Sequence, residues 1–244
     1  METIKAPRLF VEAALHDDAA ILLDRAQTNY LGNVLRLKAG DQAIAFNGRD
    51  GEWLCAIEAP GRKDLAMRAQ RKLRPQPRPG DLQYWFAPLK SARLDYMAQK
   101  AVEMGASALC PVLTRRTQVS RLNIERLQAN AVEAAEQCGI LAVPAVTPER
   151  KLERALAEIE PERLLIWCDE DADARNPIEA LKGLGAGPVA LLIGPEGGFD
   201  ESERRILKAH PHVARLSLGP RILRADTAAV AALAIVQSTL GDWG

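Results

Sequence analysis

The residues best suited to chemistry in this 244-residue chain lie near its carboxyl end, in Gly194-Pro195-Glu196-Gly197-Gly198 and Gly219-Pro220-Arg221-Ile222-Leu223-Arg224. Each segment follows an apolar run, 191–193 in the first case and 216–218 in the second. A Gly-Pro turn at the exit of a strand exposes main-chain N–H and C=O groups at the carboxyl edge of a sheet, where open α/β folds bind ligands. Two such turns, one closely after the other, predict a pocket built largely from backbone. Such a pocket suits a nucleoside-like ligand and needs neither metal ligands nor a catalytic triad. Three glycines and a carboxylate in five residues also exceed what a tight βα turn requires. Arg221 and Arg224, three apart, are placed to face a phosphate or a developing anion. Their plainer role is pairing with Glu196 or Asp226.

Other chemistries find little support. Cys55, Cys110, Cys138 and Cys168 form no Cys-x-x-Cys pair, and buried reduced thiols are the expectation. His210 and His212 flank Pro211 without zinc spacing, so no metal is expected. The glycine run 183–187 precedes a strand instead of following one, which removes the dinucleotide-loop reading. There is no Walker Gly-Lys-Ser/Thr and no Gly-x-Ser-x-Gly elbow. No apolar stretch approaches the roughly 18 residues of a membrane span. Residues 1–7 lack the apolar centre of a signal peptide. The expectation is a soluble cytoplasmic protein with no membrane partner.

The elements that must position these loops fall into two groups. Pro75, Pro77 and Pro79 mark a stiff connector that neither a helix nor a central strand tolerates. Before it, strands at 42–46, 52–58 and 65–73, with a hairpin-type turn at 47–51 and a helix near 24–35, predict a small β-rich domain. After it, apolar strands at 82–87, 108–113, 164–168, 189–193 and 213–218 alternate with helices at 92–104, 124–138, 152–159 and 201–209. Alternation of this kind predicts an α/β domain with a mostly parallel sheet. Asn123 and Asp200 are the expected helix caps, and Gly139 the expected helix end. The run 228–236 is apolar on every side and predicts a helix buried all round, in a core or against a second copy. Net charge is zero, yet Arg62, Lys63, Arg68, Arg71, Lys72, Arg74 and Arg78 face only Asp64 within their stretch. That basic run fits either a polyanionic partner or a solvated strand edge.

Taken in order, these segments resemble the RsmE family of small-subunit ribosomal RNA methyltransferases, of the SPOUT class, over essentially the whole chain. The resemblance is carried by 30–41 (Tyr30 through Val34-Leu35-Arg36 to Gly40-Asp41), Gln99-Lys100 with Glu103 and Gly105, and Glu136-Gln137-Cys138-Gly139. The two Gly-Pro segments complete it, the second running on through Ala225-Asp226-Thr227-Ala228. Departures are Asp226 where the family usually has Glu, Ile140 where Arg is common, and Tyr30 where His is common.

The resemblance implies a PUA-like β-barrel RNA-binding domain over 1–74 and a SPOUT methyltransferase domain over 80–244, knotted near its carboxyl end as a trefoil. It implies a homodimer through the carboxyl-terminal domain, with S-adenosylmethionine as methyl donor. The implied reaction is methylation of ring nitrogen 3 of a uridine in small-subunit ribosomal RNA, free or in the assembled subunit. The cofactor would lie against Ile193, Gly194, Glu196, Gly197, Gly198, Leu218, Gly219, Leu223 and Thr227. Arg224 would orient the uracil or stabilise its anion, and Glu196 would orient Arg224 or accept the proton. RNA capture would fall to Arg8, Arg36, Lys38, Arg68, Arg71 and Arg74, with Arg221 beside the cleft. Two alternatives stay open: ribose 2′-O-methylation by the same cofactor, and a non-catalytic RNA-binding module for ribosome assembly.

Overall fold

The computed structural model describes residues 5–59, 64–119, 121–173, 176–185 and 187–243. Arg62 and Lys63 of the basic run lie outside the described residues. The chain divides into two compact units, residues 1–78 with 135–143, and residues 79–134 with 144–244. The inclusion of 135–143 in the first unit has no signal in the sequence.

The first unit is built on a five-stranded sheet: β1 (Arg8–Phe10), β2 (Ala20–Leu22), β3 (Gln42–Phe46), β4 (Glu52–Glu58) and β5 (Ala66–Arg74), in the order β1-β3-β4-β5-β2. The order leaves β1 and β2 at opposite ends, a half-barrel. β3 and β4 form the expected hairpin. Asn47 Oδ1 closes its turn by accepting from the N–H of Asp50 at 2.9 Å. Gly51 ends that turn at φ +87°, where a Cβ would meet the Arg74 carbonyl at 2.3 Å, so only glycine fits. Ile21, Leu31, Ala43, Ala45, Cys55, Ile57 and Met67 fill the core. Burial pushes the Cys55 thiol up to about 11, as expected of an inert core cysteine.

Asp24 caps α1 (Arg25–Asn29) through a capping box with Gln27, its Oδ1 accepting the Gln27 N–H at 2.7 Å. The helix expected to run on to 35 instead widens into a single π-turn over Tyr30–Val34. Gly32 and Asn33 are weak helix formers, and the wider turn coincides with full burial of Leu31.

The carboxylate of Glu52 is the electrostatic centre of this unit. It accepts from Arg8 at 2.9 Å and from Arg74 at 2.6 and 2.8 Å, and its side chain is only 7% exposed. Arg8 spends its remaining donors on the carbonyls of Ala135, Glu136 and Ile140, and its guanidinium stacks 4.4 Å from the Phe46 ring. These bonds hold the 135–143 segment in the unit. Burial raises the Glu52 carboxyl, but hydrogen bonds and charge from Arg74 and Arg8 outweigh it and hold the group below its ordinary range.

The second unit carries seven strands, every pair of them parallel. They are β6 (Leu82–Phe86), β7 (Ala108–Leu113), β8 (Ala145–Val146), β9 (Arg150–Lys151), β10 (Leu164–Cys168), β11 (Val189–Ile193) and β12 (Val213–Leu216). Their order is β12-β10-β11-β6-β7-β8, with β9 also on β7. The helices are α2 (Ser91–Glu103), α3 (Ile124–Cys138), α4 (Leu152–Ala157), α5 (Pro177–Lys182), α6 (Glu201–Ala209) and α7 (Ala225–Leu240). Asn123 and Asp200 cap α3 and α6 as expected, accepting from Arg126 at 2.9 Å and from Glu203 at 2.8 Å. Gly139 follows α3 at φ +72°. Short α5, with Asn176 as cap and Pro177 in its first turn, was not among the expected helices.

Within one chain, 228–236 is not buried on all sides. One stripe of α7, Ala225, Ala229, Ala232, Leu233 and Val236, is buried, while Val230, Ala231 and Ala234 are only half-buried and Thr227 is exposed. The helix packs on α2, α5 and β11 and leaves its other face uncovered in one chain.

Replacing Glu52 by glutamine leaves Arg8 and Arg74 facing a neutral group. Breaking a buried pair in this way costs about 3–5 kcal/mol. Because the folded pKa lies below the ordinary 4.5, the contribution of the carboxylate is complete above that pH and is lost as pH falls further. Denaturant unfolding of Glu52→Gln and the parent should therefore differ most at neutral pH and converge in acid. A gap that does not narrow in acid would show that the charge is not what matters.

Candidate active site

The two Gly-Pro segments meet. They line one cavity of about 560 Å³, with Ile193, Gly194, Glu196, Gly197 and Gly198 on one wall and Leu218, Gly219, Arg221, Leu223 and Arg224 on another. The cavity opens at the carboxyl ends of β10, β11 and β12. β10 is hydrogen-bonded between the other two, so its exit loop must lie between theirs. Cys168, Asp169, Glu170 and Ala172 supply this third wall, which the sequence reading missed. The signal available was the strand itself, ending at Cys168, but its neighbours in the sheet were not readable from the chain.

Local packing explains the glycines. The Phe199 ring lies under the first loop, edge-on to Trp167 with centroids 5.6 Å apart. A Cβ on Gly194 would meet that ring at 2.5 Å. Gly198 turns the loop at φ +67°, its N–H bonded to the Pro195 carbonyl at 2.9 Å. Gly219 sits at φ +101°. Leu218 and Leu223 line the cleft with no main-chain hydrogen bond to any other described residue, which leaves donors and acceptors for a ligand. The Ile193 carbonyl is different, because it already accepts from Ala87 at 3.0 Å. Thr227 is exposed in the first turn of α7 and does not line the cavity, which corrects its expected place there.

Charge is tightly arranged beneath the cleft. Asp169 has no exposed side-chain surface and accepts from Arg204 and Arg215, each at 2.6 Å. Arg204 is itself buried, lies 5.2 Å from the Trp167 ring centre, and reaches Glu170 at 3.3 Å. The clamp ties the β10 exit, which lines the cleft, to α6 and to β12. Asp169, Glu170 and Asp171 bring their carboxylates within 4.8 Å of one another, yet the two arginines answer that charge. Burial pushes the Cys168 thiol well above its ordinary range, so it is a neutral wall and not a nucleophile.

Arg224 occupies the N-cap position of α7 and is exposed on the cleft lining. Neither its guanidinium nor that of Arg221 pairs with a described residue, so the pairing with Glu196 or Asp226 is not formed. Glu196 is half-exposed and pairs with Arg93 of α2. The expectation that Glu196 orients Arg224 is therefore corrected. Arg116 donates to the Gly197 carbonyl at 2.7 Å and so holds the same loop from another side.

In the first unit, Arg36, Lys38 and Arg71 are exposed with no side-chain partner among the described residues. Arg68 is tied to Glu58 at 2.6 Å and to Asp18 at 3.3 Å, and Arg74 to Glu52 and the Gly139 carbonyl. Arg8 is 13% exposed with every donor group engaged, so it is a structural residue and not an RNA contact.

The model of a family described as an RNA methyltransferase domain matches residues 76–237, and that of an RNA methyltransferase PUA domain matches 23–66. A ribosomal RNA small subunit methyltransferase E of Rickettsia conorii is 30% identical over 236 residues, which cover 96% of each chain. The chain belongs to the ribosomal RNA small subunit methyltransferase E family. Among solved members, the enzyme of Neisseria gonorrhoeae bound to S-adenosylmethionine is 25% identical, with a TM-score of 0.86 over 98% of this chain and 100% of its own. A Legionella pneumophila protein described as a methyltransferase, solved with the same cofactor, is 28% identical, with a TM-score of 0.84 over 98% and 100%.

The cleft of this family member suits such a cofactor. Its volume lies in the usual range for small-molecule sites, its walls are largely apolar, and unpaired main-chain groups line it. Gly198→Val should abolish S-adenosylmethionine binding in calorimetry. A β-branched residue at φ +67° is strained by about 1–2 kcal/mol, and its Cβ would lie 3.0 Å from Glu170 Oε1. Unchanged affinity in a folded variant would show that the loop is not part of the cradle.

Proposed function

We propose that the protein transfers a methyl group from S-adenosylmethionine to ring nitrogen 3 of a uridine in small-subunit ribosomal RNA. As a member of its family it is an S-adenosylmethionine-dependent methyltransferase of that RNA; the atom modified and the residue roles are the proposal. The observation that carries it is the single cleft formed by both Gly-Pro loops, with the uncommitted Arg224 on its lining.

When bound, the cofactor supplies a methyl on a positively charged sulfur, so no covalent nucleophile is needed from the protein. The loops 193–198 and 218–223 hold it by main-chain groups and fix its direction, and alignment of this kind removes several kcal/mol from a barrier. Uracil nitrogen 3 is a poor nucleophile until its proton leaves. Arg224 would hold the uracil carbonyl oxygens, where the negative charge of the deprotonated ring accumulates. Glu196, on the cleft lining, would take the proton once Arg93 releases it. The third wall, braced by Asp169, Arg204 and Arg215, limits the depth of the site.

RNA capture rests on Arg36, Lys38 and Arg71 in the first unit, whose side chains have no competing partner among the described residues. Arg221 extends this set beside the cleft. Aromatic residues are 5% of the chain, which favours phosphate contacts over base stacking. A homodimer through the carboxyl-terminal unit is supported by the uncovered apolar face of α7, with Ile222 95% exposed nearby in sequence. The assembled subunit as substrate and the knotted path of the carboxyl-terminal loops belong to the same proposal.

Arg224→Ala should slow methyl transfer about 100-fold or more, the usual cost of removing one donor to a developing anion, while S-adenosylmethionine affinity stays close to that of the parent. Equal single-turnover rates would remove the arginine from the mechanism. Mass spectrometry of nucleosides from treated small subunits should find 3-methyluridine. A ribose-methylated nucleoside would overturn the choice of atom, and loss of cofactor binding by the unaltered protein would favour the non-catalytic module.

A further inference from the structure

The cofactor cleft occupies only half of the carboxyl edge of the second unit's sheet. Strand order places β6 and β7 beyond β11, so their exit loops, 87–90 and 114–119, lie on the other side of the Gly194–Gly198 loop. There a shallow surface groove, enclosing only about 10 Å³, is bordered by Lys90, Arg116, Gln118, Val119, Pro195 and Glu196. Pro195 and Glu196 line both depressions, so one loop is the partition between them.

The groove is basic. Lys90 is exposed and has no side-chain partner among the described residues. Arg116 spends one donor on a neutral carbonyl, that of Gly197, and keeps its full charge. Arg93 adds a third cation at the edge, balanced by Glu196. Arg115 is matched by Asp200 at 3.2 Å and adds little. Two uncompensated cations therefore flank a groove that shares a wall with the reaction cleft.

Resting on the methyltransferase reading, we infer that this groove seats the phosphates of the RNA strand next to the target nucleotide. A nucleotide delivered into the cleft must bring its own backbone past the 194–198 loop. Lys90 and Arg116 are the charges a phosphate would meet there, and exposed cations give the salt-dependent, sequence-independent attraction that single strands show. A phosphate arriving at this edge also competes with Glu196 for Arg93. Seating the strand thus releases the carboxylate that borders the cleft only when substrate is present.

The test measures binding of protein-free small-subunit ribosomal RNA and of isolated small subunits across a salt series, with Lys90→Ala, Gln118→Glu and, as a charge-matched control on α5, Lys182→Ala. The slope of log K against log salt should fall by about 0.7 for Lys90→Ala, the value for one phosphate contact on a single strand, and stay unchanged for Lys182→Ala. Gln118→Glu should weaken RNA binding by placing a negative charge in the groove. Calorimetric affinity for S-adenosylmethionine should not change in either groove variant. An unaltered protein that methylates RNA while Lys90→Ala and Gln118→Glu keep the parental slope and affinity would overturn the groove alone. If the unaltered protein bound no S-adenosylmethionine, the reading beneath it would fall instead. A defect seen on assembled subunits but not on free RNA would assign the groove to a ribosomal protein and refute a phosphate seat.

Discussion

The parallel ladder that sets β10 between β11 and β12 is the constraint on which the site depends. Parallel strands deliver all their exits to one edge, and three adjacent strands deliver three adjacent loops. Two of those loops carry the glycines and prolines that turn the chain without closing the space. The third carries the acidic run 169–171. None of them forms a pocket alone; the cavity exists because hydrogen bonding fixes their order. The same edge continues through β6 and β7, which is why a basic groove can border the cleft across a single shared loop.

Electrostatics does the remaining work of fixing those loops. Asp169 is fully buried, and an isolated carboxylate there would be costly; two arginines at 2.6 Å make it tolerable and tie three elements to one point. Trp167 covers the clamp from below, with both guanidinium groups within 5.9 Å of its ring centre. The first loop is held differently, by exposed partners, Arg93 on the Glu196 carboxylate and Arg116 on the Gly197 carbonyl. The buried Asp169–Arg204 pair anchors the base of the third wall. The partners of the Gly-Pro loop are exposed, so on the proposed reading an incoming anion can compete for them. The Glu52 centre of the first unit follows the first pattern, which is why Arg8 is committed to holding the fold.

Much of this was legible in the chain because it was written in local signals. Strand lengths, the hairpin at 47–51, the caps Asn123 and Asp200, and the convergence of the two Gly-Pro loops follow from turn chemistry and periodicity. What the sequence hid was non-local. Arg8 reads as a surface cation until Glu52, 44 residues away, is seen to hold it. The 168–172 wall is invisible without strand order. Glu196 reads as the neighbour of Arg224, and only the fold brings Arg93 to it from α2. The all-apolar run of α7 suggested burial on every side, but helix geometry in one chain covers a single stripe. Thr227 fell outside the cleft for the same reason of helical phase: it lies one residue before Ala228, which does line the cavity.

The most direct test of the account is hydrogen–deuterium exchange of the full chain with and without S-adenosylmethionine. Three converging loops predict that amides in 168–172, 194–198 and 218–224 all gain protection when the cofactor binds. Protection confined to one of the Gly-Pro loops, or appearing elsewhere while these three segments exchange as before, would contradict it.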